Sequence, residues 1–153
     1  MEDGVRAMAV DHLVRDSAAV SDSIEIVRSR QVGDWATVLA RWADAGTGRL
    51  RRGAVDIILD DGVWRPRGGW SSNADHDEVH PIWRAWGGGR GSTSGWVSDP
   101  AAATIRFRSQ DGRVEADTVE SGVAILIYEA AFGRGSTVEV LDGDGNVLHT
   151  APL

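Results

Sequence analysis

The chain has 153 residues, 42% hydrophobic and 25% charged, the composition of one globular domain or two small packed modules rather than of a disordered protein. It contains no cysteine and no lysine, all 16 basic residues being arginine, and its formal net charge is −7. These counts exclude disulfides, thiolate metal sites, lysine Schiff bases and lysine-bearing phosphate loops.

Arginine in place of every lysine fits a GC-rich bacterial genome better than a physical demand. The charge is uneven: residues 1–72 carry 11 acids and 10 arginines, net −1, whereas residues 73–153 carry 12 acids and 6 arginines, net −6. Nucleic-acid binding is not expected, because the second half would repel backbone phosphates. The N-terminal "MEDGVRAMAVDHLVRD" has no apolar run of signal-peptide length. No segment approaches the roughly twenty apolar residues of a membrane span. A chain complete as given is expected to be cytoplasmic.

Val5, Met8, Ala9, His12 and Leu13 recur at helical spacing, which predicts an amphipathic helix over residues 4–16. "SDSIEIVRSRQ" follows with β-branched alternation and reads as a strand. Residues 34–45 are ambiguous. As a helix capped by Asp34 they would align Trp35, Val38, Leu39 and Trp42; as a strand they would align Ala36, Val38, Ala40 and Trp42. A hairpin at Gly33-Asp34 would give the preceding strand a partner, and the strand is the reading adopted. "RRGAVDIILDDGVWRPRGG" predicts two strands joined at Asp61-Gly62.

Glycine and serine then interrupt the periodicity from residue 68 to residue 100, and "GGGRGSTSG" (87–95) reads as a flexible inter-module loop. Trp83, Trp86 and Trp96 in the same stretch argue against a free tether. From "TIRFRS" onward, short strand-sized segments alternate with turn residues at Asp111-Gly112, Ser121-Gly122, Gly133-Arg134-Gly135 and "DGDG".

The expected fold is α+β: an N-terminal helix and antiparallel sheet packed with a C-terminal antiparallel, β-sandwich-like module. The expected division is 1–72, a helix with four strands; 73–100, a Gly/Ser/Trp-rich connection; and 101–153, a small all-β module. A helix followed by a four-stranded meander resembles cystatin-like and NTF2-like domains, and the tail resembles small Ig-like β modules. The likeness is architectural. It implies a binding module, or a small enzyme with an NTF2-like cavity.

Several residue groups are candidates for chemistry. "NADHDEVHP" brings His76, His80 and Asp77 close in sequence, an alternative metal set; but Pro81 steers His80 out of helical geometry. The preferred reading is a polar loop without metal, in which Asn73 caps a short turn with Asp75 near its positive end. "LDGDGNV" (141–147) fails the calcium-loop pattern at its glycine and glutamate positions and reads as a hairpin turn.

Nucleophilic catalysis lacks a serine elbow; His76, Asp77 and His12 are the alternative acid–base residues, with His12 on the helix's apolar face. Arg28 and Arg30 alternate on one strand, Arg49, Arg51 and Arg52 enter the third, and Arg65 and Arg67 leave the fourth. Beside Trp42 or Trp64 these guanidinium groups would suit an anionic ligand or acidic partner. The expectation is a non-catalytic binding or accessory protein without cofactor, acting on a protein partner or anionic ligand. An acidic protein that neutralises a basic partner, as immunity proteins do, belongs to the same class. The alternative is the small enzyme.

Overall fold

Residues spaced by four, Val5, Ala9 and Leu13, form the buried stripe of helix α1 (Glu2–Asp16) in the computed structural model, which describes residues 2–89 and 91–153. The helix ends where Ala18 adopts a left-handed φ of 52°. The Ala19 N–H reaches back to the Leu13 carbonyl, satisfying a terminal helical acceptor.

Four antiparallel strands follow in the order β1-β2-β3-β4: β1 (Glu25–Val32), β2 (Trp35–Ala43), β3 (Leu50–Asp60) and β4 (Val63–Asn73). The ambiguous segment is a strand, with Ala36, Val38, Ala40 and Trp42 facing α1 beside Val55, Ile57 and Trp64. Alanines at 36 and 40 let the helix approach the sheet. Asp61 and Gly62 turn β3 into β4 with φ values of 49° and 75°, the type I′ geometry that a right-twisted hairpin favours.

Two irregularities decide the faces of this sheet. Register shifts between Ile26 and Arg28 of β1, and β4 carries an extra residue, Arg67, between the partners of Ile57 and Asp56. Each bulge inverts the inside–outside alternation beyond it. Strands β3 and β4 also approach closely: a Cβ on Gly53 would lie 2.1 Å from the Trp70 carbonyl oxygen, and one on Gly69 would lie 1.9 Å from that of Ala54. Only glycine fits there.

The remaining strands are β5 (Trp83–Gly88), β6 (Ser92–Val97), β7 (Thr104–Arg108), β8 (Val114–Thr118), β9 (Val123–Ile127), β10 (Thr137–Leu141) and β11 (Val147–Pro152). They form two antiparallel sheets, β5-β6-β9 and β11-β10-β7-β8. Their shared core contains Val97, Ile105, Phe107, Ala124, Leu126, Val138 and Val140, a sandwich-like arrangement. Alternation selects these residues: Ile105 and Phe107 point inward, whereas Arg106 joins Glu139 on the outside.

The chain separates into two compact units, Met1–Asp77 with Gly87–Gly89, and Glu78–Trp86 with Arg90–Leu153. The stretch expected to be a flexible loop at 87–95 holds the end of β5 and the start of β6, with Arg90 outside the described residues. Gly95 serves packing, since a Cβ there would lie 2.0 Å from the Ala85 carbonyl oxygen. At the β10–β11 turn the Asp142 carboxylate accepts the N–H groups of Asp144 and Asn146. These backbone donors hold its pKa below the ordinary aspartate value. The carboxylate serves the turn, in keeping with the hairpin reading.

Candidate functional site on the arginine face of the first sheet

Cross-strand register puts Arg28 and Arg30 of β1 on the face opposite α1, in rows with Leu39 and Thr37 of β2. The same face receives Ala54, Asp56 and Ile58 of β3, then Arg65 and Trp70 of β4. Arg41 and Arg52 extend it at one end. Arg67, the bulged residue, sits with its guanidinium 6.0 Å from the Trp35 ring centroid, within range of a cation–π attraction.

Thus six arginines (28, 30, 41, 52, 65 and 67) share this face with three acids, Glu25, Asp56 and Asp60. The Asp56 carboxylate is buried between strands; it accepts the Thr37 hydroxyl at 2.6 Å and the Trp35 indole N–H at 3.4 Å. Arg52 is 4% exposed and donates to Asp77 Oδ1 at 2.9 Å and to the His76 carbonyl at 3.1 Å. Arg65 and Arg67 are exposed and, among the described residues, form no ion pair.

The expected partnership of these arginines with Trp42 or Trp64 is corrected. Both tryptophans lie on the helix side, buried in the core, because the even-numbered residues of β2 face α1 and Trp64 pairs with the inward-facing Leu59. Arg51 also lies on the helix side, opposite Trp42, where it donates to Asn73 Oδ1 and Ser71 Oγ, both at 2.7 Å. The aromatic neighbours on the arginine face are Trp35 and Trp70. Their odd–even relation to the arginines depends on the two bulges, and neither bulge has a sequence signal as strong as Asp-Gly.

A short turn follows Asn73, whose carbonyl accepts the His76 N–H at 3.4 Å, and it ends before His80, but the Asn73 side chain does not cap it. Asn73 ends β4, and its side chain accepts from Arg51 instead of capping, a charge-assisted bond to the residue directly across the ladder. Asp77 pairs with Arg52. His80 stacks on Trp83, with ring centroids 3.9 Å apart and an interplanar angle of 1°. Its Nδ1 accepts the Ile82 N–H at 3.1 Å. Burial holds the His80 pKa below its ordinary value, partly offset by Glu78. His12 is partly exposed near the end of α1, with Nδ1 2.9 Å from Asp16 Oδ2. Among the described residues, no three or more histidine, aspartate and glutamate side chains converge as a metal-binding group.

No protein-family model matches the chain, and no curated protein matches it in sequence.

Proposed function

We propose that this protein is a binding module whose N-terminal sheet presents its arginine face to a carboxylate-rich segment of a protein partner. One observation carries this reading: six arginines gather with Trp35 and Trp70 on one sheet face of a chain whose overall charge is −7. Guanidinium groups suit carboxylates because their forked donors match two oxygens at once, and a flanking indole strips water from the pair. An extended face favours a peptide-like partner over a small ligand, which would need a concave site to bury it.

The test uses a fluorescent oligoglutamate peptide and the intact chain. Wild type should bind saturably at low ionic strength. Arg65→Glu/Arg67→Glu, two exposed positions, should weaken binding by at least about tenfold while the far-UV spectrum stays unchanged. Absence of saturable binding, or equal binding by the variant, overturns the reading.

The alternative, a small enzyme with His12, His76 or Asp77 as acid–base, draws support from a recess of about 240 Å³ that His12 lines together with Asp16 and Trp42. It has less behind it, because His76 and Asp77 contribute a carbonyl and a carboxylate to Arg52.

A further inference from the structure

On the arginine face, the row nearest the two hairpin turns is apolar. Register pairs Val32 of β1 with Trp35 of β2, and Trp35 with Ile58 of β3; Val63 of β4, paired with Asp60, lies one step closer to the turns on the same face. Val32 and Val63 are 45% and 48% exposed, and Trp35 and Ile58 are half-buried. Farther from the turns, Leu39 and Ala54 of the same face are buried. Scattered exposed aliphatic residues are ordinary; four apolar residues contiguous across four strands form a patch, and a patch marks a contact.

Trp35 is held in place there. Its indole N–H donates to the Asp56 carboxylate at 3.4 Å, and the Arg67 guanidinium lies 6.0 Å from its ring centroid. A ring ordered in this way loses little freedom when a partner covers it. Charge is divided around the patch. Arg65, paired with Ile58, and Arg67 lie on the β4 side and are exposed, whereas the exposed Asp34, Asp60 and Asp61 line the turns. A uniformly acidic chain laid here would set carboxylates against those aspartates and over apolar surface, and both placements cost it affinity.

We propose that the patch seats one apolar side chain, leucine or an aromatic, of an extended partner segment whose carboxylates reach Arg65 and Arg67. This rests on the arginine-face reading and adds the anchor that sets its specificity. Trp35, Ile58 and Arg65 share one row across β2, β3 and β4. Neighbouring strands lie about 4.8 Å apart, so Arg65 starts about 10 Å from Trp35, a distance an extended peptide covers in about three residues. The recognised motif is therefore an apolar residue with carboxylates about two to four positions to one side. Carboxylates elsewhere would face the turn aspartates or overhang the apolar row.

Two fluorescent peptides of equal charge, Gly-Ser-Leu-Ser-Glu-Glu-Glu-Gly and its counterpart with serine for leucine, are titrated into the full chain at low ionic strength beside oligoglutamate. The leucine peptide should bind at least about tenfold more tightly than the serine peptide. Arg65→Glu/Arg67→Glu should weaken the leucine peptide by at least about tenfold. Val32→Ser/Val63→Ser, at two exposed positions, should abolish the difference between the two peptides. Equal affinity for the two, with oligoglutamate still bound, overturns the inference alone; no saturable binding of any of the three overturns the arginine-face reading with it. A leucine preference that survives in Val32→Ser/Val63→Ser also overturns the inference. So does a wild type that sediments as a dimer which this variant dissociates, an outcome that assigns the patch to a second copy of the chain.

Discussion

His80 illustrates how one side chain's contacts set its chemistry. The ring lies flat on Trp83, and Trp83 continues onto Trp86 with centroids 5.0 Å apart. Because Nδ1 accepts the Ile82 N–H, the proton of the neutral ring sits on Nε2. Protonating Nδ1 would cost that bond and bring charge into a half-buried place. The folded-state pKa is thus below the ordinary 6.5. The unfolded chain binds the proton first as pH falls. The contribution of His80 is fully present above about pH 7 and is lost as pH drops through 6.5 toward the folded value. Denaturant unfolding of wild type and His80→Phe across this window should give curves that diverge on the alkaline side and converge on the acidic side. A difference independent of pH would refute the assignment.

At the scale of elements, a side chain joins the two sheets of the second unit. Asp117 of β8 is 7% exposed, and its Oδ2 accepts the Ile125 N–H of β9 at 2.8 Å. β9 has every residue buried and lies at the end of its sheet; a free edge N–H there would lack both ladder and water. Asp117→Ala should lower unfolding free energy by about 1–3 kcal/mol, the cost of a buried donor left unsatisfied, with faster hydrogen exchange at the Ile125 amide. Unchanged stability and protection would show that another acceptor replaces the carboxylate. The same geometry removes Asp117 from the acidic surface, although composition alone counts it among the charges of the second half.

For the whole molecule, the contrast lies between a net charge of −7 and one sheet face rich in arginine. Acids concentrated after residue 72 repel an acidic partner at long range, while the arginine face attracts it at contact. Raising salt screens both. Contact attraction between desolvated groups survives better than repulsion acting beyond the Debye length, about 10 Å at 0.1 M. Oligoglutamate association should therefore speed up with added salt, whereas its dissociation rate should rise only slightly. If an oligoarginine peptide binds more tightly than oligoglutamate, and loses affinity when Asp111, Glu115 and Glu120 are neutralised together, the acidic surface rather than the arginine face is the docking site.

Local signals of definite geometry were legible in the sequence. The helical spacing of Val5, Ala9 and Leu13 and the Asp61-Gly62 turn lie within a few residues and depend on backbone sterics alone. Alternation likewise assigned Ala36, Val38, Ala40 and Trp42 to one side of β2. The faces that carry the candidate sites were not legible. A strand's period is two, so one extra residue at Arg67, or one register shift after Ile26, moves every later side chain to the other face. Arg28 and Arg30 thereby came to lie with Trp35 and Trp70 instead of Trp42 and Trp64. Asn73 met Arg51, 22 residues earlier, and so could not serve as the expected cap. Composition and local spacing determined which elements form; the long-range ladder, through its bulges, decided which side chains meet.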